Sequence, residues 1–150
     1  MASPNVGPNL GNAGSPIEAE IGGQKVKLRY IDQRVKAALE QALATKARNL
    51  LKEDKSEMSD EEYAVAYGAY SDRIVAGHYA FSNRMCQNWL PTVEGLSHIL
   101  HICGNIPLQK AESMIMEYPL EVGTLIRLVM ESSFPNLNRV ETETTQKESE

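Results

Sequence analysis

The pair Gly22-Gly23, set between the alternating segments IEAEI and QKVKL, constrains this chain more than any other feature. Two glycines between such segments suit a two-residue hairpin turn, because both central positions can require positive φ and only a residue without Cβ takes that conformation freely. A turn there sets Ile21 opposite Gln24, Ala19 opposite Val26 and Ile17 opposite Leu28, which makes one face of the ribbon apolar. The other face pairs Glu20 with Lys25 and Glu18 with Lys27. Slipping the register by one residue would turn the apolar set to water, so this pairing is specified on both faces. A lone hairpin is marginal in water. The ribbon, Ile17 to Ile31, must therefore lie on the remainder of the chain, and that remainder reads as helical.

The helical signals are local and mostly come in start and stop pairs. Asp32 caps a first helix over QRVKAALEQALATKARNLLKE, where Val35, Leu39, Leu43, Ala47 and Leu50 recur at helical spacing. Ser59-Asp60-Glu61-Glu62 is a capping box with acids in the positive first turn, and it opens a second helix. Along that helix Tyr63, Tyr67, Tyr70, Ile74, Gly77 and Phe81 form a stripe, expected as a seam packed on the first helix or the hairpin rather than a ligand platform. Gly77 ends the helix, kinks it or admits a close neighbour, and periodicity does not choose among these. Asn88-Trp89-Leu90-Pro91 interrupts the pattern, and Trp89 is expected as a core plug at that junction. A third helix starts after Thr92, runs through VEGLSHILHI and ends at Gly104-Asn105, a left-handed cap. Pro107 and Pro119 suit first helical turns, giving helices near Leu108 to Glu117 and Leu120 to Ser132. The last of these is apolar over most of its circumference, so it is either buried on several sides or partly covered by another molecule.

The expected fold class is α+β, mostly α: an N-terminal β-hairpin packed on a compact bundle of about five helices. Residues 17–134 are expected to form a single folded domain. Residues 1–16, MASPNVGPNLGNAGSP, have no charged side chain and few apolar ones, and are expected as a disordered arm. Residues 135–150, ending in ETETTQKESE, are expected as a disordered acidic tail.

Composition narrows the function classes. An apolar fraction of 42% supports a real core, and a net charge of −5 from 20 acidic and 15 basic residues argues against broad binding to a phosphate backbone. The first helix is locally basic through Arg34, Lys36, Lys46, Arg48 and Lys52, which reads first as a solvated face. Cys86 and Cys103 do not make a disulfide framework or a CxxC pair, so two reduced, buried thiols are expected. No stretch approaches the roughly 18 apolar residues that a membrane-spanning helix needs. A soluble cytoplasmic protein is expected.

Glu94, His98 and His101 fall at i, i+4 and i+7 on one helical face, with Cys103 and Cys86 as further candidate ligands for zinc. EGLSHILH matches neither HExxH nor paired CxxC spacing, which weighs against a metal site. The same histidines could serve either thiol as a base, although no flanking signature marks a nucleophile. Phosphate-cradling glycine patterns are absent. The expectation is no catalytic, cofactor-binding or metal residues, and no cofactor.

The Gly-turn hairpin IEAEIGGQKVKLRYID, followed at once by short helices and a polar tail, resembles bacteriophage tail assembly chaperones and related small phage morphogenesis proteins over residues 17–134. That resemblance implies a non-catalytic protein, in the host cytoplasm, that binds the tape measure protein during tail assembly through apolar helical surfaces and is absent from the finished particle. It is one of layout and carries over no functional residue. The expected partner is a protein, with a homo-oligomer left open; the net charge makes nucleic acid a poor partner, and the lack of a long apolar run argues against a membrane. The runner-up is a virion structural or head-to-tail connector protein, followed by a small enzyme and then a nucleic-acid-binding regulator.

Overall fold

Tyr118 lies over the hairpin turn so closely that a Cβ on Gly22 would sit 2.5 Å from its ring, which shows how tightly the ribbon is held. The structure, a computed structural model, describes residues 16–134, so the expectations for the arm up to residue 15 and for the tail lie outside the described residues. Strands β1 (Ile17–Ile21) and β2 (Gln24–Leu28) pair antiparallel in the register read from the sequence, from Ile21 opposite Gln24 to Ile17 opposite Leu28. Gly22 and Gly23 have φ of 57° and 81°, the left-handed values the turn requires. Ile17, Ile21, Val26 and Leu28 are buried on the helices. On the outer face Lys27 Nζ lies 3.5 Å from Glu18, an exposed pair that adds little to stability. The Arg29 N–H donates to the Cys103 carbonyl at 3.1 Å and ties the end of the ribbon to a helix terminus.

Six helices follow: α1 (Gln33–Glu53), α2 (Asp60–Val75), α3 (Arg84–Trp89), α4 (Val93–Gly104), α5 (Leu108–Glu117) and α6 (Pro119–Ser133), with a 3-10 turn, Asp54–Glu57, after α1. The caps act as expected. Asp32 accepts from the Val35 N–H, Ser59 from the Glu62 N–H and Thr92 from the Gly95 N–H, while Asn105 closes α4 at φ 53°. The sixth helix, α3, went unrecognised in the sequence. It is six residues long, too short for a periodic pattern, and its start is marked only by the Asn83 side chain accepting from Met85 N–H.

The core gathers the ribbon's apolar face, the first half of α1 (Val35, Leu39, Leu43) and one side each of α4, α5 and α6. Fully burying each such aliphatic side chain contributes roughly 1.5–3 kcal/mol. Trp89 is buried at the α3–α4 junction, as a plug there should be. Its backbone packs so closely on α4 that a Cβ on Gly95 would collide with the Trp89 carbonyl and the Leu90 backbone. On α6, Val122, Leu125, Ile126 and Val129 are buried, whereas Leu120 remains 84% exposed and Leu128 partly so, so burial within the fold accounts for most of its apolar surface.

The tyrosine stripe is corrected. Gly77, at φ 73°, ends α2 rather than carrying it on: its N–H donates to the Ile74 carbonyl and the His78 N–H to the Arg73 carbonyl, a Schellman cap. Phe81 therefore lies in the loop after α2, where its N–H donates to Glu40 Oε2 at 2.6 Å and its ring packs 5.7 Å from that of Phe134. Within α2 only Tyr70 is buried, with its hydroxyl donating to the Ala44 carbonyl at 3.2 Å. Tyr63 and Tyr67 stack toward it at centroid spacings of 6.1 and 5.7 Å but stay partly open to solvent. The α2 helix, which leans on α1 through Tyr70, is the sparsely packed arm of the molecule.

Candidate functional site

The α4 helix sits between α1 and α5, and its first two turns form the floor of a shallow surface shared by the three helices. Thr92 starts α4 just after Pro91, which places Val93, Glu94 and His98 on its outer side with Ser97 buried beneath them. Between α4 and α5 lies a depression of about 370 Å³ lined by Val93, Glu94, Ser97, His98, Leu108 and Glu112. Between α4 and α1 lies a second of about 370 Å³, whose lining includes Ala42, Lys46, Leu50, Glu53, Glu94 and His98. Glu94 and His98 belong to both, so the two depressions meet across α4.

Each residue of the sequence-derived trio has its own local partner. Glu94 pairs with Lys46 at 3.0 Å and bridges α4 to α1. His98 rests on Trp89, with ring centroids 5.4 Å apart, and its half-buried position holds its pKa below the usual histidine value. His101 Nδ1 bonds the Ile106 carbonyl at 2.8 Å and is spent on closing the end of α4. Among the described residues no three His, Cys, Asp or Glu side chains come together in a way that could hold a metal ion. The thiols are on separate helices, Cys86 on α3 and Cys103 on α4, and burial pushes both up to about 11, so each is protonated at neutral pH.

Around the depressions the surface is acidic and partly apolar. Among the described residues that line them, Glu53, Glu94 and Glu112 outnumber the one lysine, Lys46, which already pairs with Glu94. Exposed apolar side chains mark its extent: Leu50 at 51%, Met116 at 69%, and Val93 and Leu108 between them. The basic residues of α1 do not form a continuous stripe. Lys36 lies over the Phe81 and Phe134 rings at 5.5 and 4.9 Å, Lys46 is paired, and Arg48 has its Nε buried without a hydrogen-bond partner. The sequence could not reveal this surface, because its residues come from three separated segments that share no motif. Only the exposed apolar residues that open α4 and α5, Val93 and Leu108, carried a local hint.

The chain matches no protein-family model, no curated protein and no solved structure. No helix among the described residues is long and apolar enough to cross a membrane.

Proposed function

We propose that this chain is a non-catalytic assembly factor that binds another protein, acting as the phage tail assembly chaperones it resembles act on the tape measure protein. The observation that carries this reading is the α1–α4–α5 surface, which combines two shallow depressions, four exposed apolar side chains and an excess of carboxylates. Open depressions of this kind suit the side of a partner helix better than a small molecule, which favours an enclosed cleft. The acidic rim favours a partner helix with basic residues flanking its apolar stripe, since complementary charge sets register and speeds encounter. A tape measure protein, long and helical, offers such faces in number. The protonated thiols and the separately engaged histidines support a role in recognition rather than bond-making.

Co-expression with the tape measure protein of the same genome tests the reading. The expected result is that this chain keeps the partner soluble and co-purifies with it, and that Leu50→Glu with Met116→Glu abolishes both effects while the thermal midpoint holds. An insoluble partner, or retention that both variants leave intact, would refute it. Finding the chain as a stoichiometric component of purified particles would instead favour the connector reading.

A further inference from the structure

The α2 helix is sixteen residues long and buries a single side chain, Tyr70. A helix in a globular protein normally covers an apolar stripe against its neighbours. Here Val75 is 88% exposed, Val65 75% exposed, and Tyr67 and Ile74 lie open as well. About a quarter-turn around from Tyr70, the residues Glu62, Val65, Ala69, Arg73 and Ala76 follow at helical steps and are all exposed. Glu62 and Arg73 sit about three turns apart on this stripe, at opposite ends of its apolar middle. Neither has an ion-pair partner among the described residues.

This pattern is complementary to itself. If two copies of the stripe lie antiparallel about a two-fold axis midway along the helix, each Glu62 meets the Arg73 of the second copy, with Val65 and Ala69 in the seam between the two ion pairs. The acidic first turn, Asp60 to Glu62, then faces the end of the other helix that carries Arg73, and the two helix dipoles oppose each other. A partner of unrelated sequence would have no reason to match charges placed symmetrically about the centre of one helix, whereas a two-fold interface requires that arrangement. We propose that α2 pairs antiparallel with α2 of a second copy of this chain. The pairing uses a different face of the molecule from the α1–α4–α5 surface, so it stands or falls separately from the proposed function.

Sedimentation velocity of the full chain across a concentration series is the test, with circular dichroism confirming that every variant is helical. The expected result is a dimer whose dissociation constant rises about tenfold or more on Glu62→Arg or on Arg73→Glu, and returns toward the original value when the two substitutions are combined. Val65→Lys should also favour the monomer, because it places a charge in the seam. A chain that stays monomeric up to millimolar concentration would overturn the proposal. So would a dimer indifferent to the single charge reversals, or one that the combined substitution weakens further.

Discussion

The α2 and α4 helices begin in nearly the same way and end in very different surroundings. Each starts with a hydroxyl side chain accepting from the N–H three residues on, Ser59 from Glu62 and Thr92 from Gly95, both at 3.1 Å. Each closes on a left-handed residue, Gly77 just past α2 and Asn105 just past α4. Yet α4, twelve residues long, buries Gly95, Ser97, Ile99, Leu100 and Cys103, while α2, at sixteen residues, buries Tyr70 alone. Caps satisfy the exposed backbone groups at a helix end, which is a local matter. Burial depends on what lies alongside, and α4 has α1 on one flank and α5 on the other where α2 rests on α1 and on Tyr79 through Tyr70. A well-coded helix is therefore no measure of a well-packed one, and the main body and the α2 arm should respond differently to the same perturbation.

The largest contrast is expected from core truncation. Leu39→Ala removes a fully buried side chain from the body half of α1 and should cost about 2–5 kcal/mol in chemical denaturation. Ile74→Ala, on the open side of the arm, should change stability by about 0.5 kcal/mol or less. Equal losses would mean that the arm is packed as tightly as the body.

The caps give a smaller and sharper comparison. Thr92→Ala and Ser59→Ala each remove one capping acceptor, worth about 1 kcal/mol. In the body the loss should appear in the global denaturation midpoint. In the arm it should appear mainly as faster hydrogen exchange of the α2 amides, because a sparsely packed helix can open without unfolding the rest. A global shift of the same size in both variants would show that arm and body unfold as one unit.

The smallest effect is expected on acidification. Burial beside Trp89 holds the folded-state pKa of His98 below its unfolded value of about 6.5, so between the two values the unfolded chain binds a proton that the folded chain does not. Stability should therefore fall as pH drops from about 6.5 through the folded value, and this group should leave it unchanged above about 6.5. Glu94, on the same helix, opposes the shift, and His101 adds to it. His98→Phe, which keeps a ring on Trp89, should flatten that part of the profile. An unchanged slope in the variant would assign the acid sensitivity to other groups.

How much was legible in the sequence differs from element to element for physical reasons. The ribbon's register followed from its turn and its alternation, because an antiparallel pair joined by two residues has no other way to bury one face. Five of the helix starts followed from Asp32, Ser59, Thr92, Pro107 and Pro119, each acting within its own first turn. The α3 helix was missed because six residues are shorter than the repeat needed to show a period. The tyrosine stripe misled because Tyr63, Tyr67, Tyr70, Ile74, Gly77 and Phe81 keep helical spacing beyond the point where Gly77, in the left-handed region, turns the chain away. Grouping Glu94, His98 and His101 on one face was sound as geometry, but each found a separate partner, Lys46, Trp89 and the Ile106 carbonyl, on segments distant in the sequence or just past the helix end.

By itself, then, the sequence determined the hairpin, its register and two faces, and the main helix starts, since these depend on interactions within a few residues along the chain or directly across one turn. The tertiary structure alone decided which faces were covered. It spent most of the apolar surface of α6 inside the core, left α2 nearly bare, and assembled the α1–α4–α5 surface from three segments. Such choices depend on which elements become neighbours, and that is a property of the whole packed chain that no local stretch encodes.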